Sequence, residues 1–322
     1  MKKRLIALTL VLMTLVMLFT SCAGSSTSEF NVGVLKGPTG FGAISMIDKA
    51  EAKQTKNTYN FSIESAADVV TSALLSKELD IAFLPSNAAA MLYNKTEGQI
   101  RVISIAARGM LYVVSRDASV ASLADLKDKK VVTSGAGSTA EYATSYVFTN
   151  NGLTPGQNVT LDYASEHSEA ATKLLSGEYD IAILPEPFVT SVMMQDDTLK
   201  VAVDISAEWS KLNDSELCMA AIAVRADVLE ENPAAIDTFL EEFTESAKFV
   251  AENPADAAQL IEKHDIMKAA AAEKAIPNCN IACITGEEMK KDLTGVYEVL
   301  FAANPKSIGG AMPGDDFYYI GK

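Results

Sequence analysis

The chain has 322 residues, 48% of them hydrophobic, with 27 basic and 42 acidic side chains and a formal net charge of −15. That surface argues against nucleic acid or an anionic membrane as a partner, because phosphate binding needs clustered Lys and Arg. The length exceeds one typical domain and suggests two, and the hydrophobic content suffices for two cores.

At the N-terminus, Lys2, Lys3 and Arg4 precede an apolar run from Leu5 to Phe19 broken only by two threonines. The run falls short of the roughly 20 residues of a membrane span and has the size of a signal-peptide core. Phe19-Thr20-Ser21-Cys22 then leads into Ala23-Gly24-Ser25-Ser26-Thr27-Ser28. Small residues ahead of a cysteine resemble the bacterial lipobox, in which the cysteine is acylated; Phe19 stands where an aliphatic residue is usual. This resemblance makes residues 1–21 a lipoprotein signal peptide, Cys22 the lipidated residue and 22–29 a flexible tether. It places the protein on the extracytoplasmic face of the cell membrane. An ordinary secretory signal with an incidental cysteine is the alternative. No other segment is long and apolar enough to cross a bilayer.

The body of the chain contains a repeat. Leu74-Leu75-Ser76-Lys77-Glu78-Leu79-Asp80-Ile81-Ala82-Phe83-Leu84-Pro85 returns as Leu174-Leu175-Ser176-Gly177-Glu178-Tyr179-Asp180-Ile181-Ala182-Ile183-Leu184-Pro185. Each copy reads as a helix end, a tight turn, a short buried strand and a proline. Uninterrupted apolar strands suit a parallel sheet covered on both faces. A strand at Tyr59 to Ile63 and a helix from near Ala66 precede the first copy. A strand at Val159 to Tyr163 and a helix from near Ser168 precede the second. The halves open with Val32 to Leu35 and Lys130 to Thr133, each followed by a glycine-bearing turn. The order β-turn-α-β-α-β therefore occurs twice, which predicts two similar α/β lobes with parallel sheets.

Leu111 to Ser115 and Cys218 to Val224 read as extended links between the lobes, forming a hinge. Pro233 to Val250 and Pro254 to His264 carry helix-start prolines and apolar spacing of three to four. The C-terminal part is expected to return to the first lobe and complete it. The boundaries are 30–112 plus 219–322 for lobe 1 and 113–218 for lobe 2.

The body resembles solute-binding lipoproteins of ABC importers, in the nitrate/sulfonate/taurine and thiamin-pyrimidine-precursor group. The resemblance rests on the Gly37-Pro38-Thr39-Gly40 turn, both Asp-Ile-Ala-x-Leu-Pro strands, Ser122 to Val132 (SLADLKDKKVV), and Thr285-Gly286-Glu287-Glu288-Met289. Asp128 stands where the family usually has glycine. The resemblance implies a type II periplasmic-binding-protein (Venus-flytrap) fold of two Rossmann-like lobes with a hinge. It also implies capture of a small solute, delivery to ABC permease subunits, a monomer, no cofactor and no catalysis.

In open α/β sheets, ligands sit at the carboxyl ends of the strands, where helix N-termini offer unpaired N–H groups to oxygens. The candidate ligand-binding residues are accordingly Gly37, Pro38, Thr39 and Gly40, then Ser86 and Asn87, all in the first half. Ser134, Gly135, Gly137, Ser138, Thr139 and Glu186 are those of the second. Plain helix capping is the alternative for each, since Ser, Thr and Asn are favoured caps. Glu186 replaces Ser86 of the first copy; it either complements a helix dipole or accepts hydrogen bonds from a ligand amine. Phe41, Tyr112, Tyr142, Phe188 and Trp209 are available for stacking, although most aromatics are core residues. Lys36 and Arg108 are the cations beside the turns. The balance leans to a neutral or amine-bearing ring over a bare anion.

Cys218, Cys279 and Cys283 read as buried thiols. Residues 279 and 283 lie about 13 Å apart in an extended segment, beyond disulfide reach. A metal site would need more ligands at suitable spacing than His167 and His264 supply. There is no phosphate loop and no recognisable catalytic constellation. Menaquinone-pathway enzymes of similar fold are cytoplasmic, against the export signal. A solute-binding lipoprotein serving a membrane sensor is the remaining alternative.

Overall fold

The computed structural model describes residues 27–321; the signal peptide and the lipidation assigned to Cys22 lie outside the described residues. The first half supplies β1 (Glu29–Leu35), α1 (Pro38–Glu51), β2 (Thr58–Glu64), α2 (Ala67–Leu75), β3 (Ile81–Pro85), α3 (Ser86–Lys95) and β4 (Ile100–Arg108). The second supplies β5 (Leu111–Ser115), β6 (Lys130–Thr133), α4 (Thr139–Asn150), β7 (Thr160–Tyr163) and α5 (His167–Leu175). It continues with β8 (Ile181–Pro185), α6 (Phe188–Met193), β9 (Lys200–Asp204) and α7 (Ile205–Ser210). The chain returns as β10 (Cys218–Arg225), α8 (Ala226–Glu231), α9 (Pro233–Glu252), α10 (Pro254–Lys263) and α11 (Ala269–Ala275). It ends with β11 (Ile281–Ile284) and α12 (Gly286–Ala303).

Two sheets result, ordered β11-β4-β10-β3-β1-β2 and β7-β6-β8-β5-β9. Each is the centre of an α/β lobe. The repeat is kept in three dimensions: β1 lies between β2 and β3, and β6 between β7 and β8, all parallel. The sheets are nevertheless mixed, which corrects the expectation of wholly parallel ones. Strand β10 runs antiparallel to β3 and β4, and β5 antiparallel to β8 and β9. A strand arriving from the other lobe has no crossover helix to bring it in parallel, so it can enter in the opposite sense.

Leu111–Ser115 and Cys218–Val224 are therefore internal strands, paired on both sides. Their apolar side chains fill sheet interiors. The chain crosses between the sheets just ahead of each, at Gly109–Met110 and in residues 211–217.

Helix α9 shows how apolar spacing becomes packing. Ile236, Phe239, Phe243, Ala247 and Val250 recur every three or four residues and are buried, each side chain adding about 1.5–3 kcal/mol for its larger members. Phe243 meets Phe83 of β3 edge to face at 5.1 Å between centroids. Ser246 on the same face donates its hydroxyl to Gly42 O at 2.6 Å, docking α9 on α1. Helix α12 completes more than the first lobe. Its Leu293, Val296, Tyr297 and Leu300 belong to one buried cluster that also holds Leu84, Val113, Ala143 and Trp209, so it joins both lobes. Among the described residues no helix is long and apolar enough to cross a membrane.

Candidate functional site

Of the six helices that start at the carboxyl ends of parallel strands among the described residues, four lead from the candidate turns: α1 after β1, α3 after β3, α4 after β6 and α6 after β8. Their turns face one another across the two lobes. Asn87, at the start of α3, donates from Nδ2 to Gly137 O at 3.0 Å and to Ser307 O at 3.3 Å. Its Oδ1 accepts from Thr139 N at 3.3 Å and Thr139 Oγ1 at 3.2 Å. A β-carbon placed on Gly37 would come within 3.9 Å of Pro187 Cδ. The first turn thus opposes the fourth, and the second opposes the third.

The third turn, Ser134 to Ser138, is shaped by Gly135 and Gly137, whose φ values of 78° and 75° lie in the left-handed region that glycine enters without steric cost. Gly137 N donates to Glu141 of the helix it opens, and Ser138 Oγ donates to Gly135 O. Ser134 Oγ contacts His167 Nδ1. Burial pushes the His167 imidazole below its ordinary pKa, opposed by Glu166, so the neutral ring is favoured. The same ring lies 5.5 Å from that of Phe188.

In the fourth turn Glu186 is buried, with 3% of its surface exposed. Thr190 N donates to its Oε2 at 3.1 Å and Thr190 Oγ1 to its Oε1 at 3.0 Å. Burial raises its pKa, and hydrogen bonds from Thr190 and Asn278 act the other way. Tyr112 is pushed up to about 12, chiefly by burial and then by the nearby Asp204 and Glu186. The Cys279 thiol is raised as well, by burial and then by Glu186.

The remaining candidates have local partners. Thr39 Oγ1 donates to Leu35 O at 3.1 Å, and Ser86 Oγ donates to Cys218 O at 2.7 Å. Gly40 is buried tightly against Leu35 O, and Pro38 opens α1. Phe41 and Trp209 are fully buried core residues, the indole N–H of Trp209 donating to Ser215 O at 2.9 Å. Tyr142 accepts from Asn304 at 3.1 Å. Arg108 is engaged by Glu288 at 2.7 Å and Asp292 at 3.1 Å, and Lys36 is exposed. None of the residues forming the four turns is itself a cation.

Three residues of this region carried no weight as ligand contacts in the sequence: His167, Thr190 and Asn278. His167 had a signal, because it occupies the place of Ala67 in the other copy, as Glu186 does that of Ser86. Asn278 is brought in only by the tertiary fold.

Two α/β lobes joined by two crossings, with strand-end turns opposed between them, define a type II periplasmic binding protein. The family of periplasmic substrate-binding proteins of phosphonate ABC transporters matches residues 52–275, and the chain belongs to it. No curated protein matches by sequence. Among solved structures the chain is similar to an ABC transporter protein from Parabacteroides distasonis, with 24% identity, a TM-score of 0.77, and 91% of this chain and 99% of that one covered. It is also similar to the aliphatic sulphonate-binding protein SsuA from Escherichia coli, with 15% identity, a TM-score of 0.73 and coverage of 92% and 94%. A third is the nitrate-binding protein NrtA from Synechocystis, with 15% identity, a TM-score of 0.56 and coverage of 74% and 67%. The chain is the extracytoplasmic substrate-binding component of an ABC transporter, working with permease subunits, and is not an enzyme.

Proposed function

We propose that the solute is a neutral or amine-bearing ring compound, held between the lobes by the turns at Gly37–Gly40, Ser86–Asn87, Ser134–Thr139 and Glu186. The observation that carries this reading is the chemistry of the fourth turn. A buried carboxylate with acceptor capacity left beyond Thr190 lies close to Tyr112, and no cation belongs to the turns. Glu186 would accept from a ligand N–H, while Phe188 and Tyr112 offer faces for a ring. Backbone N–H groups at the helix starts would take the ligand's oxygens or ring nitrogens. The lobes hinge at Gly109–Met110 and residues 211–217, close on the solute and present it to the permease. A monomer held to the membrane through acylated Cys22 is part of the same proposal, resting on the lipobox-like run.

The ligand class is tested by melting curves against a panel of aminopyrimidines, thiamin, taurine, alkanesulfonates, alkylphosphonates and nitrate. Binding to the folded state alone raises the midpoint by mass action. The expected result is a selective shift with an amine-bearing ring that Glu186→Ala abolishes. A shift with sulfonates, phosphonates or nitrate that survives Glu186→Ala would replace this class by an anion bound through helix N-termini.

A further inference from the structure

Away from the solute turns, at the other end of α1, we propose that Asp48, Glu51 and His264 form a site for a divalent transition metal of the zinc class. Asp48 and Glu51 are three residues apart on α1 and so share a face. His264 caps the C-terminus of α10. One ligand atom from each of the three lies within 4.8 Å of the other two.

The histidine points to a ligand independently of the two acids. Its side chain is only 7% exposed, and its Nε2 is buried without a hydrogen-bond partner. That nitrogen lies 3.6 Å from Asp48 Oδ1, and Nδ1 lies 3.6 Å from Glu51 Oε1. Both separations exceed hydrogen-bond length. The first is close to the roughly 3.3 Å between ligand atoms in a tetrahedral site with metal bonds of about 2.0–2.1 Å; an ion takes one ring nitrogen, so the 59% exposed Glu51 side chain would swing to the Nε2 side to join it. A nitrogen with two carboxylates suits zinc and its neighbours better than calcium or magnesium, which take oxygen ligands.

The helix ends reinforce the choice. Asp48 and Glu51 occupy the last turn of α1, where the helix dipole disfavours acids, and His264 sits at the C-terminus of α10. Two negative helix ends and two carboxylates thus converge on one imidazole ring. One cation is already drawn there: Lys263 Nζ bonds Asp48 and lies 3.8 Å from Glu51 Oε2. Its side chain is 55% exposed, so it can withdraw into water when a metal arrives. The bound metal would clamp α1 to α10 and fix the helix that carries the first solute turn at its other end. The three ligands are 216 residues apart at the widest, which hid the set from any reading of local spacing.

Zinc titration by calorimetry on the purified protein tests this, with melting curves of each variant to establish that it folds. One zinc per chain is expected for the wild type. His264→Gln should weaken binding at least tenfold, and Lys263→Ala should tighten it by removing the competing ammonium. His167→Gln, which alters the other histidine, should leave it unchanged. No uptake by the wild type at about 100 μM zinc, or wild-type affinity in folded His264→Gln, would overturn the proposal.

Discussion

Ser86 and Glu186 occupy equivalent places in the two copies of the repeat and do different work. The serine hydroxyl is spent on Cys218 O, tying α3 to the strand that enters from the other lobe. The carboxylate holds Thr190 through both oxygens and so caps the start of α6. Capping and ligand contact were the alternatives in the sequence, and the capping bonds leave further acceptor positions on each oxygen. Burial makes this a costly charge. Because its folded pKa is raised, Glu186 favours the folded state only while protonated. Its contribution is full below the ordinary glutamate value of about 4.3 and is lost as pH rises through the folded value. Glu186→Gln keeps one acceptor and discards the charge. Without solute, the variant should match the wild type near pH 4 and melt at a higher temperature at pH 7.5. An equal loss of stability at both pH values would mean that the second capping bond outweighs the buried charge.

The elements of the repeat were legible because the same physics is written twice. Helix α2 ends at Leu75 and β3 opens at Ile81; α5 ends at Leu175 and β8 opens at Ile181. Both helix ends form the same motif. Glu78 N donates to Ala73 O and Lys77 N to Leu74 O, as Glu178 N does to Lys173 O and Gly177 N to Leu174 O. This requires a left-handed residue: Gly177 has φ 78° and Lys77 has φ 64°. Glycine adopts that conformation freely, whereas lysine pays for its β-carbon. Lys77 also pairs with Asp227 at 3.1 Å, but both side chains are about half exposed or more, and such pairs contribute little. Lys77→Gly should therefore stabilise the protein by about 0.5–1 kcal/mol in denaturant melts. A loss of stability would show that the ion pair or the unfolded-state entropy dominates. What the sequence did not reveal at this scale was strand direction. Leu-Tyr-Val-Val-Ser and Cys-Met-Ala-Ala-Ile-Ala-Val are apolar enough for any interior strand, and nothing in their composition says from which lobe they arrive.

For the whole molecule, internal similarity predicted two lobes, and the pairing of Asn87 with Thr139 and Gly137 shows where they meet. That contact joins two turns singled out separately in the sequence, from halves that no local pattern connects. The bridging role of α12 was not legible, since an apolar helix face does not declare how many lobes it covers. The proposed site grips one small solute from both sides. The most direct measurement equilibrates the protein with a small-molecule extract, removes unbound material by gel filtration, and identifies what is released on denaturation. The wild type should retain one low-mass species in stoichiometric amount, and Asn87→Ala and Glu186→Ala, one from each lobe, should each lose most of it. Retention of the same species at wild-type level by both folded variants would contradict a site between these turns.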